Sequence, residues 1–122
     1  KDIVVIRLGE NVPVENEPLF GGALSKLIEY CQQYTDRIVL TGQYWPSDRK
    51  EKAVKENAEK YGLPYVRLNW IWYEHQEECC PKEGDIIYDI QGKPYPIVGN
   101  FIITHPNDKG MEYIAKAIYE KI

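Results

Sequence analysis

The sequence lacks two features that bring a protein to nucleic acid or into a membrane: an excess of basic residues and a long apolar run. Fifteen lysines and arginines stand against 19 acidic residues, which gives a net charge of −4. A surface that binds phosphates needs clustered lysine and arginine, whereas the basic residues here are interleaved with acids, as in residues 48–52. A membrane-spanning helix needs about 20 consecutive apolar residues, and no such stretch occurs. We therefore expect neither nucleic acid nor a membrane as a partner.

Cysteine is also scarce. The chain has three cysteines, Cys31, Cys79 and Cys80, so they cannot all pair. Cys79 and Cys80 follow His75, but structural zinc sites usually show two spaced pairs of ligands, and that spacing is absent from this sequence. The pattern predicts unpaired loop thiols at 79 and 80, a core position for Cys31, and neither a metal nor another cofactor.

Serine occurs only twice, at positions 25 and 47. Ser25 lies inside a predicted helix, and Ser47 lies beside a predicted helix start, where capping accounts for it. Neither follows a strand in the sharp strand-to-helix turn that exposes a catalytic serine. We therefore expect this chain to carry no serine nucleophile of its own.

The sequence does contain an alternation of strand and helix patterns. Apolar runs at 3–6 and 38–40 and the segment 65–68 predict parallel strands, and the first run is typical of a strand buried on both faces. Helical spacing predicts three helices whose inner residues are Leu24, Leu27, Ile28 and Cys31; Val54, Ala58 and Tyr61; and Met111, Ile114, Ala115 and Ile118. The order β-α-β-α-β with a late helix predicts an α/β fold with a parallel sheet and right-handed crossovers.

Local signals mark the ends of the second helix. Asp48 and Glu51 are spaced as a capping box at its start, and Gly62 is expected to end it. Residues 69–104 then break the alternation with aromatic residues and many turn formers. Within them, residues 85–90 followed by Gly92 predict a strand and a hairpin turn. So long an irregular segment is often functional, and the alternative, an insertion that covers the sheet edge, is equally favoured.

A polar turn follows the first strand. Gly9-Glu10-Asn11 lies at the carboxyl end of that strand, where open parallel sheets bind ligands. The side-chain N–H of Asn11 could donate a hydrogen bond to an oxyanion there. The alternative is that Gly9 and Asn11 only form a turn, which both residue types suit.

A histidine stands just before the last helix, in the segment Thr104-His105-Pro106. Histidine is the side chain best suited to move protons near neutral pH. The alternative is a structural histidine near the helix start. Asn107 or Asp108 makes a good N-cap alone, so His105 is not needed to begin the helix, which favours a functional role.

Together these two segments resemble conserved blocks of the SGNH (GDSL-type) hydrolases, a family of esterases and lipases. Gly9-Glu10-Asn11-Val12 is similar to the family's Gly-x-Asn-Asp block, and residues 102–106 are similar to its Asp-x-x-His-Pro block. The stretches 37–41 and 60–66 fit the segments between them. The resemblance spans residues 1–122 but covers only the later part of the family's domain.

The resemblance implies a three-layer α/β/α fold with a mostly parallel sheet, flavodoxin-like and incomplete, with an irregular insertion at about 69–104. It implies a hydrolase of small acyl or carbohydrate esters. His105 would be the base, and Asn11 would be an oxyanion-hole donor on a turn made by Gly9. The family blocks that carry the nucleophilic serine and the first oxyanion-hole glycine have no counterpart here, so a missing N-terminal part would supply the serine.

Two aromatic residues follow the second strand. Tyr44 and Trp45 lie in its loop, and aromatic faces there would suit a sugar substrate. The alternative, which is somewhat favoured, is that both residues cap the core.

Two departures from the family pattern favour a different class of protein. Val12 stands where the family has Asp, and Ile102 stands where it has the acid that supports the histidine. Another carboxylate, such as that of Asp89, or a backbone carbonyl would have to orient His105. The alternative function is a non-catalytic α/β binding or interaction module with the same fold.

The start of the chain suggests a partner. Lys1 is not a methionine and the apolar run begins at Ile3, so we expect a segment of a longer protein. One side of the strand at 3–6 would then lack its usual neighbour, and an unpaired strand edge is a template for another chain. The expected partner is the N-terminal part of the same protein or, in a homodimer, a second copy.

Overall fold

The elements of the chain alternate much as the sequence predicts. The computed structural model describes residues 2–99 and 102–122; Lys1, together with Asn100 and Phe101 of the predicted insertion, lies outside the described residues. The elements are β1 (Val4–Ile6), α1 (Glu17–Cys31), β2 (Ile38–Thr41), α2 (Asp48–Tyr61), β3 (Tyr65–Val66), α3 (Asn69–Cys79), β4 (Ile86–Tyr88), β5 (Pro94–Pro96) and α4 (Asp108–Tyr119), with 3-10 turns at Val14–Asn16 and Ile102–Thr104. In this part of the chain no helix combines the length and apolar character needed to cross a bilayer.

The main sheet has three parallel strands in the order β1-β2-β3. β2 is central and all four of its residues are buried. Alternate residues of a strand point to opposite faces. Ile38 and Leu40 pack with residues of α1 and α2, whereas Val39 packs with residues of α3 and α4. The α/β class and the parallel sheet with helices on both faces are therefore confirmed.

The first core lies between the sheet and helices α1 and α2. Its buried members are Ile6, Phe20, Leu24, Ile28, Ile38, Leu40, Val54 and Ala58. Three other residues predicted to face inward, Leu27, Cys31 and Tyr61, pack at its margin. Burial of one large aliphatic side chain contributes about 1.5–3 kcal/mol, so this core is a main source of stability. The helical spacing correctly identified four of its buried members, Leu24, Ile28, Val54 and Ala58, but not Phe20.

The second core contains a helix that the sequence did not predict. Its buried members are Val39, Tyr44, Val66, Leu68, Ile71, Cys79 and Ile114. The expectation of an irregular segment from residue 69 is wrong, because residues 69–79 form α3. His75 has φ of −130° and ψ of 22°, which are not helical values. The apolar residues at 70–73 are consecutive, so they show no helical spacing in the sequence.

Two predicted apolar faces are also corrected. β1 is not buried on both faces, because it is an outer strand and Val5 keeps 39% of its surface exposed. In α4, Ile114 is buried and Ile118 packs beside it, but Met111 and Ala115 are exposed. The helix is rotated so that Tyr113, with Ile114 and Ile118, packs on the second core.

The predicted capping box at the start of α2 does not form. Ser47 is the N-cap residue, and its side chain makes no capping hydrogen bond. The Glu51 carboxylate instead accepts the Gln43 N–H (3.0 Å) and the hydroxyl of Tyr65. A buried N–H left without an acceptor costs about 1–3 kcal/mol, more than an exposed cap contributes, so the carboxylate lies where the buried donors are.

The predicted hairpin is confirmed. β4 and β5 pair antiparallel and form a separate two-stranded sheet. Neither joins the parallel sheet, so within the described residues β1 and β3 each have a strand neighbour on one side only. The association expected from the β1 edge stays a prediction.

Two glycines offer a matched test of this fold. Gly62 ends α2 as predicted, with φ of +63°, whereas Gly22 is exposed within α1 and open space surrounds the position of its absent Cβ. We expect Gly62→Ala to lower the free energy of unfolding by about 1 kcal/mol, because L side chains disfavour a positive φ. We expect Gly22→Ala to raise it by about 0.5–1 kcal/mol, because alanine favours helix. Urea unfolding followed by circular dichroism measures both changes, and changes of the same sign would contradict these assignments.

Candidate functional site

The turn after β1 depends on Gly9. Its φ is +114°, and a Cβ at this position would lie 2.8 Å from Phe20 Cζ and 2.9 Å from Gln43 Nε2. The Val12 N–H donates to the Gly9 carbonyl at 3.1 Å and closes the turn. Asn11 lies on the turn and is exposed. Backbone conformation and close packing therefore both require glycine here, and the oxyanion role of Asn11 stays a prediction.

The loop after β2 is tied to this turn. Gln43 Nε2 donates to the Leu8 carbonyl at 2.9 Å, and the Tyr44 N–H donates to the Glu10 carboxylate. The ammonium group of Lys50, itself buried, donates to the Glu10 carbonyl at 3.3 Å. These bonds hold the two loops side by side at the carboxyl end of the sheet, where the sequence predicted a site.

Tyr44 and Trp45 have different environments. Tyr44 is 1% exposed and packs in the second core, with its hydroxyl 3.4 Å from Cys80 Sγ. Burial, together with the Cys80 contact, raises the pKa of that hydroxyl, so it stays protonated. Trp45 is only partly buried. The ring of Trp45 is therefore the aromatic face of this pair that a ligand can reach, whereas Tyr44 takes the core role considered as the alternative.

His105 packs against Trp45. The two rings meet edge to face with centroids 5.0 Å apart, and Trp45 Nε1 donates to the Thr104 carbonyl at 2.7 Å. The backbone N–H of His105 donates to the Ile102 carbonyl at 2.9 Å. The β2 loop thus fixes the His105 turn at the same end of the sheet as Gly9.

The last helix holds the histidine turn from the other side. Asn107, one of the two predicted candidates, is the N-cap of α4, and its side chain accepts the Gly110 N–H at 3.0 Å. Its backbone N–H donates to the Cys79 carbonyl at 2.7 Å, and its Nδ2 donates to the Glu78 carbonyl at 3.0 Å. The start of α4 is therefore anchored to the end of α3.

The predicted site residues are linked through neighbours. Glu10, next to Asn11, bonds to Tyr44, and Trp45 contacts His105. The structure thus connects the segments of Asn11 and His105 across one end of the sheet. A shared cleft between those two side chains stays a prediction.

The acid suggested for orienting His105 has another role. Asp89 Oδ1 accepts the backbone N–H groups of Gln91 and Lys93, each at 2.9 Å, in the turn between β4 and β5. Its carboxylate therefore stabilises the hairpin.

The two serines contact helix residues. The Ser25 hydroxyl lies 2.6 Å from Asn57 Oδ1, in the contact between α1 and α2. The Ser47 hydroxyl donates to Glu17 Oε2 at 3.2 Å. The sequence suggested that the Ser47 hydroxyl caps α2, but this hydroxyl makes no capping hydrogen bond.

Sequence reasoning missed two carboxylates, the partly buried one of Glu10 and the buried one of Glu51. Glu51 is 7% exposed and lies so close to Gly42 that a Cβ there would collide with it. Burial raises the pKa of the Glu10 carboxyl above its ordinary value, although the N–H groups of Tyr44 and Trp45 oppose the shift. Two features of the sequence could have indicated these carboxylates: an acid, Glu10, inside the Gly9 turn, and a glycine, Gly42, directly after β2.

The cysteines are corrected as well. Cys79 ends α3, Cys80 follows it, and both are buried rather than exposed in a loop. All three cysteines are unpaired, and burial raises the pKa of the Cys79 thiol. His75 contacts Glu78 (Nδ1 to Oε1, 2.9 Å) rather than the thiols. Over residues 2–99 and 102–122, no three histidine, cysteine or acidic side chains are grouped to hold a metal ion.

No protein-family model matches this chain, and neither a curated protein nor a solved structure matches it significantly.

The raised pKa of the partly buried Glu10 carboxyl predicts a pH dependence of stability. The folded state holds this proton more tightly than the unfolded state, so the stability that protonated Glu10 contributes is present at low pH and lost as pH rises through the folded pKa. Glu10→Gln keeps a carbonyl acceptor for the Tyr44 N–H and removes the ionisation. We therefore expect the free energy of unfolding of the variant, relative to that of the wild type, to be larger at about pH 7 than at about pH 4.

Urea unfolding at the two pH values measures this gain. Glu15→Gln, which changes an exposed acid in the first 3-10 turn, is the matched control. A Glu10→Gln difference that is equal at both pH values would show that Glu10 is not buried as a carboxyl.

Proposed function

We propose that this chain is the C-terminal part of an SGNH-type serine ester hydrolase that acts on small acyl or carbohydrate esters. The observation that carries the proposal is the contact of His105 with Trp45 at the end of the sheet where the Gly9 turn also lies. The resemblance of two sequence blocks to that family adds support. In this proposal the chain has the fold of the SGNH domain, and a preceding part of the same protein supplies the catalytic serine.

The chemistry assigns one role to each segment. His105 takes the proton of the serine hydroxyl as it attacks the ester carbonyl, and returns it to the leaving alcohol. Asn11 donates a hydrogen bond to the oxyanion that develops on the carbonyl oxygen. Trp45 offers its ring to the acyl group or to a sugar. Gly9 allows the turn that presents Asn11, because its φ is +114°.

A second candidate is a non-catalytic binding or interaction module with the same fold. Val12, where the family has an acid, packs against the first core. Ile102, three residues before His105, is 41% exposed and supplies no carboxylate. Such a module would bind a carbohydrate on the surface formed by Trp45 and His105 and would not hydrolyse it.

The isolated 122-residue chain is expected not to hydrolyse 4-nitrophenyl acetate. Both of its serines have structural hydrogen bonds, Ser25 next to Asn57 and Ser47 to Glu17. Release of nitrophenolate by the purified chain is the measurement. Turnover that Ser47→Ala abolishes and Ser25→Ala leaves intact would contradict the claim that the nucleophile lies elsewhere.

The protein made from the complete reading frame is expected to hydrolyse the same ester. There, His105→Ala is expected to lower kcat by about 10²- to 10⁴-fold, because a positioned base contributes that much. Asn11→Ala is expected to lower kcat by about 10²- to 10³-fold, because an oxyanion donor is lost. Steady-state kinetics with 4-nitrophenyl acetate measure both effects.

Each variant has a matched control in the chain. His75→Ala removes the other histidine, and Asn16→Ala removes an exposed asparagine whose side chain makes no capping hydrogen bond. Both controls are expected to keep kcat within about twofold, since they leave the reacting groups in place. Full activity in His105→Ala would reject the hydrolase, and carbohydrate binding without turnover in the complete protein would favour the module.

A further inference from the structure

The hairpin of β4 and β5 leaves large apolar side chains in solvent. Ile86, Ile87 and Tyr88 are 56%, 52% and 67% exposed, and Ile90 in the turn is fully exposed. Every residue of the two strands is exposed. An isolated two-stranded hairpin is marginally stable in water, and contiguous exposed apolar surface of this kind marks interaction sites.

The hydrogen bonds of the hairpin show which backbone groups of β4 are unused. The Ile97 N–H donates to the Asp85 carbonyl at 2.7 Å, and the Asp89 N–H donates to the Lys93 carbonyl at 3.1 Å. In an antiparallel pair, hydrogen-bonded positions alternate with positions whose backbone groups point away from the partner. Since 85 and 89 are bonded positions, Ile86 and Tyr88 direct their N–H and C=O groups to the outer edge of β4.

The outer edge of β5 is closed. Pro96 is opposite Ile86 and Pro94 is opposite Tyr88, so proline occupies both positions at which β5 faces outward. Proline has no N–H to donate, and proteins use it to block strand edges. The hairpin therefore has one blocked edge and one open edge with an apolar row.

Acidic residues flank the open edge. The Asp85 carboxylate accepts the Lys82 N–H at 2.8 Å, and Asp89 accepts the N–H groups of the hairpin turn. These bonds hold the two carboxylates in the turns at the two ends of β4. Because alternate residues of a strand share a face, Asp85, Ile87 and Asp89 lie on one face of β4.

We propose that the outer edge of β4 binds an extended segment of another protein. The segment adds as a third, antiparallel strand. It places apolar side chains opposite Ile86 and Tyr88 and lysine or arginine opposite Asp85 and Asp89. Backbone hydrogen bonds supply affinity and the alternating side chains supply specificity, as in other complexes formed by strand addition.

The charge pattern argues against a second copy of this chain. A two-fold axis at Ile87 would set Asp85 opposite Asp89 of the second copy at both ends of the pairing. An axis at Ile86 would set Glu83 opposite Asp89. Like charges directly opposite each other destabilise a pair of strands. An axis at Tyr88 would set Ile86 opposite Ile90. Ile90 lies in the turn closed by the bond from the Gly92 N–H to the Asp89 carbonyl, so it is not part of the strand that would have to pair.

A labelled peptide of sequence Lys-Val-Thr-Val-Lys, acetylated and amidated at its ends, is the probe. We expect saturable binding to the purified chain by fluorescence anisotropy, weakened by added salt. Replacing both lysines by glutamate is expected to weaken binding about tenfold, because two favourable charge pairs become repulsive.

N-methylation of the probe tests the strand pairing. The two valines would face β4 with their N–H groups, so methylating both is expected to abolish binding. The threonine N–H would face away, so methylating it alone is expected to change affinity by less than about twofold. Equal effects of the two modifications would overturn the proposal, as would no binding of the unmodified peptide at millimolar concentration.

Variants of the chain complete the test. Asp85→Asn keeps an oxygen acceptor for the Lys82 N–H and is expected to weaken binding several-fold through loss of one charge pair. Asp36→Asn changes an exposed acid away from the hairpin and is expected to leave affinity unchanged. Sedimentation as a dimer that Ile86→Lys dissociates would assign the edge to a second copy and overturn the proposal.

Discussion

The buried carboxylate of Glu51, where β2 ends, determines the arrangement of the loop that follows. It accepts the Gln43 N–H from that loop and the hydroxyl of Tyr65 from β3. With the loop held in this way, the Tyr44 N–H reaches Glu10 on one side, and the Trp45 ring reaches His105 on the other. One side chain of α2 therefore holds the loop that connects two segments far apart in the chain.

The repeating patterns of the sequence were enough to predict the fold class. A continuous apolar run identified β2, and the 3.6-residue repeat of a helix identified the buried faces of α1 and α2. The prediction failed where the repeat is broken or where packing overrides it. The consecutive apolar residues at 70–73 gave no helical spacing for α3, and α4 packs on the second core through Tyr113 and Ile114 rather than through the whole face that its apolar residues suggested.

The candidate site was predictable only where one residue type carries the signal. Gly9 has a positive φ that its residue type anticipates, and His105 stands at a helix start. Burial was not predictable at this scale, because Tyr44 and Trp45 are adjacent and only Tyr44 is buried. The roles of Glu10 and Glu51 depend on donors from other elements, which no local pattern of the sequence contains.

Contacts from two elements position the histidine turn. Trp45 holds Thr104 from the β2 loop, and the end of α3 holds Asn107 through the Cys79 carbonyl. Since these contacts come from packing and backbone bonds, they hold whether residue 102 is an acid or isoleucine. The geometry of the turn is thus compatible with catalysis and with binding alone. What separates the two functions is the chemistry brought to His105, because an imidazole acts as a base only when a hydroxyl lies within hydrogen-bond reach.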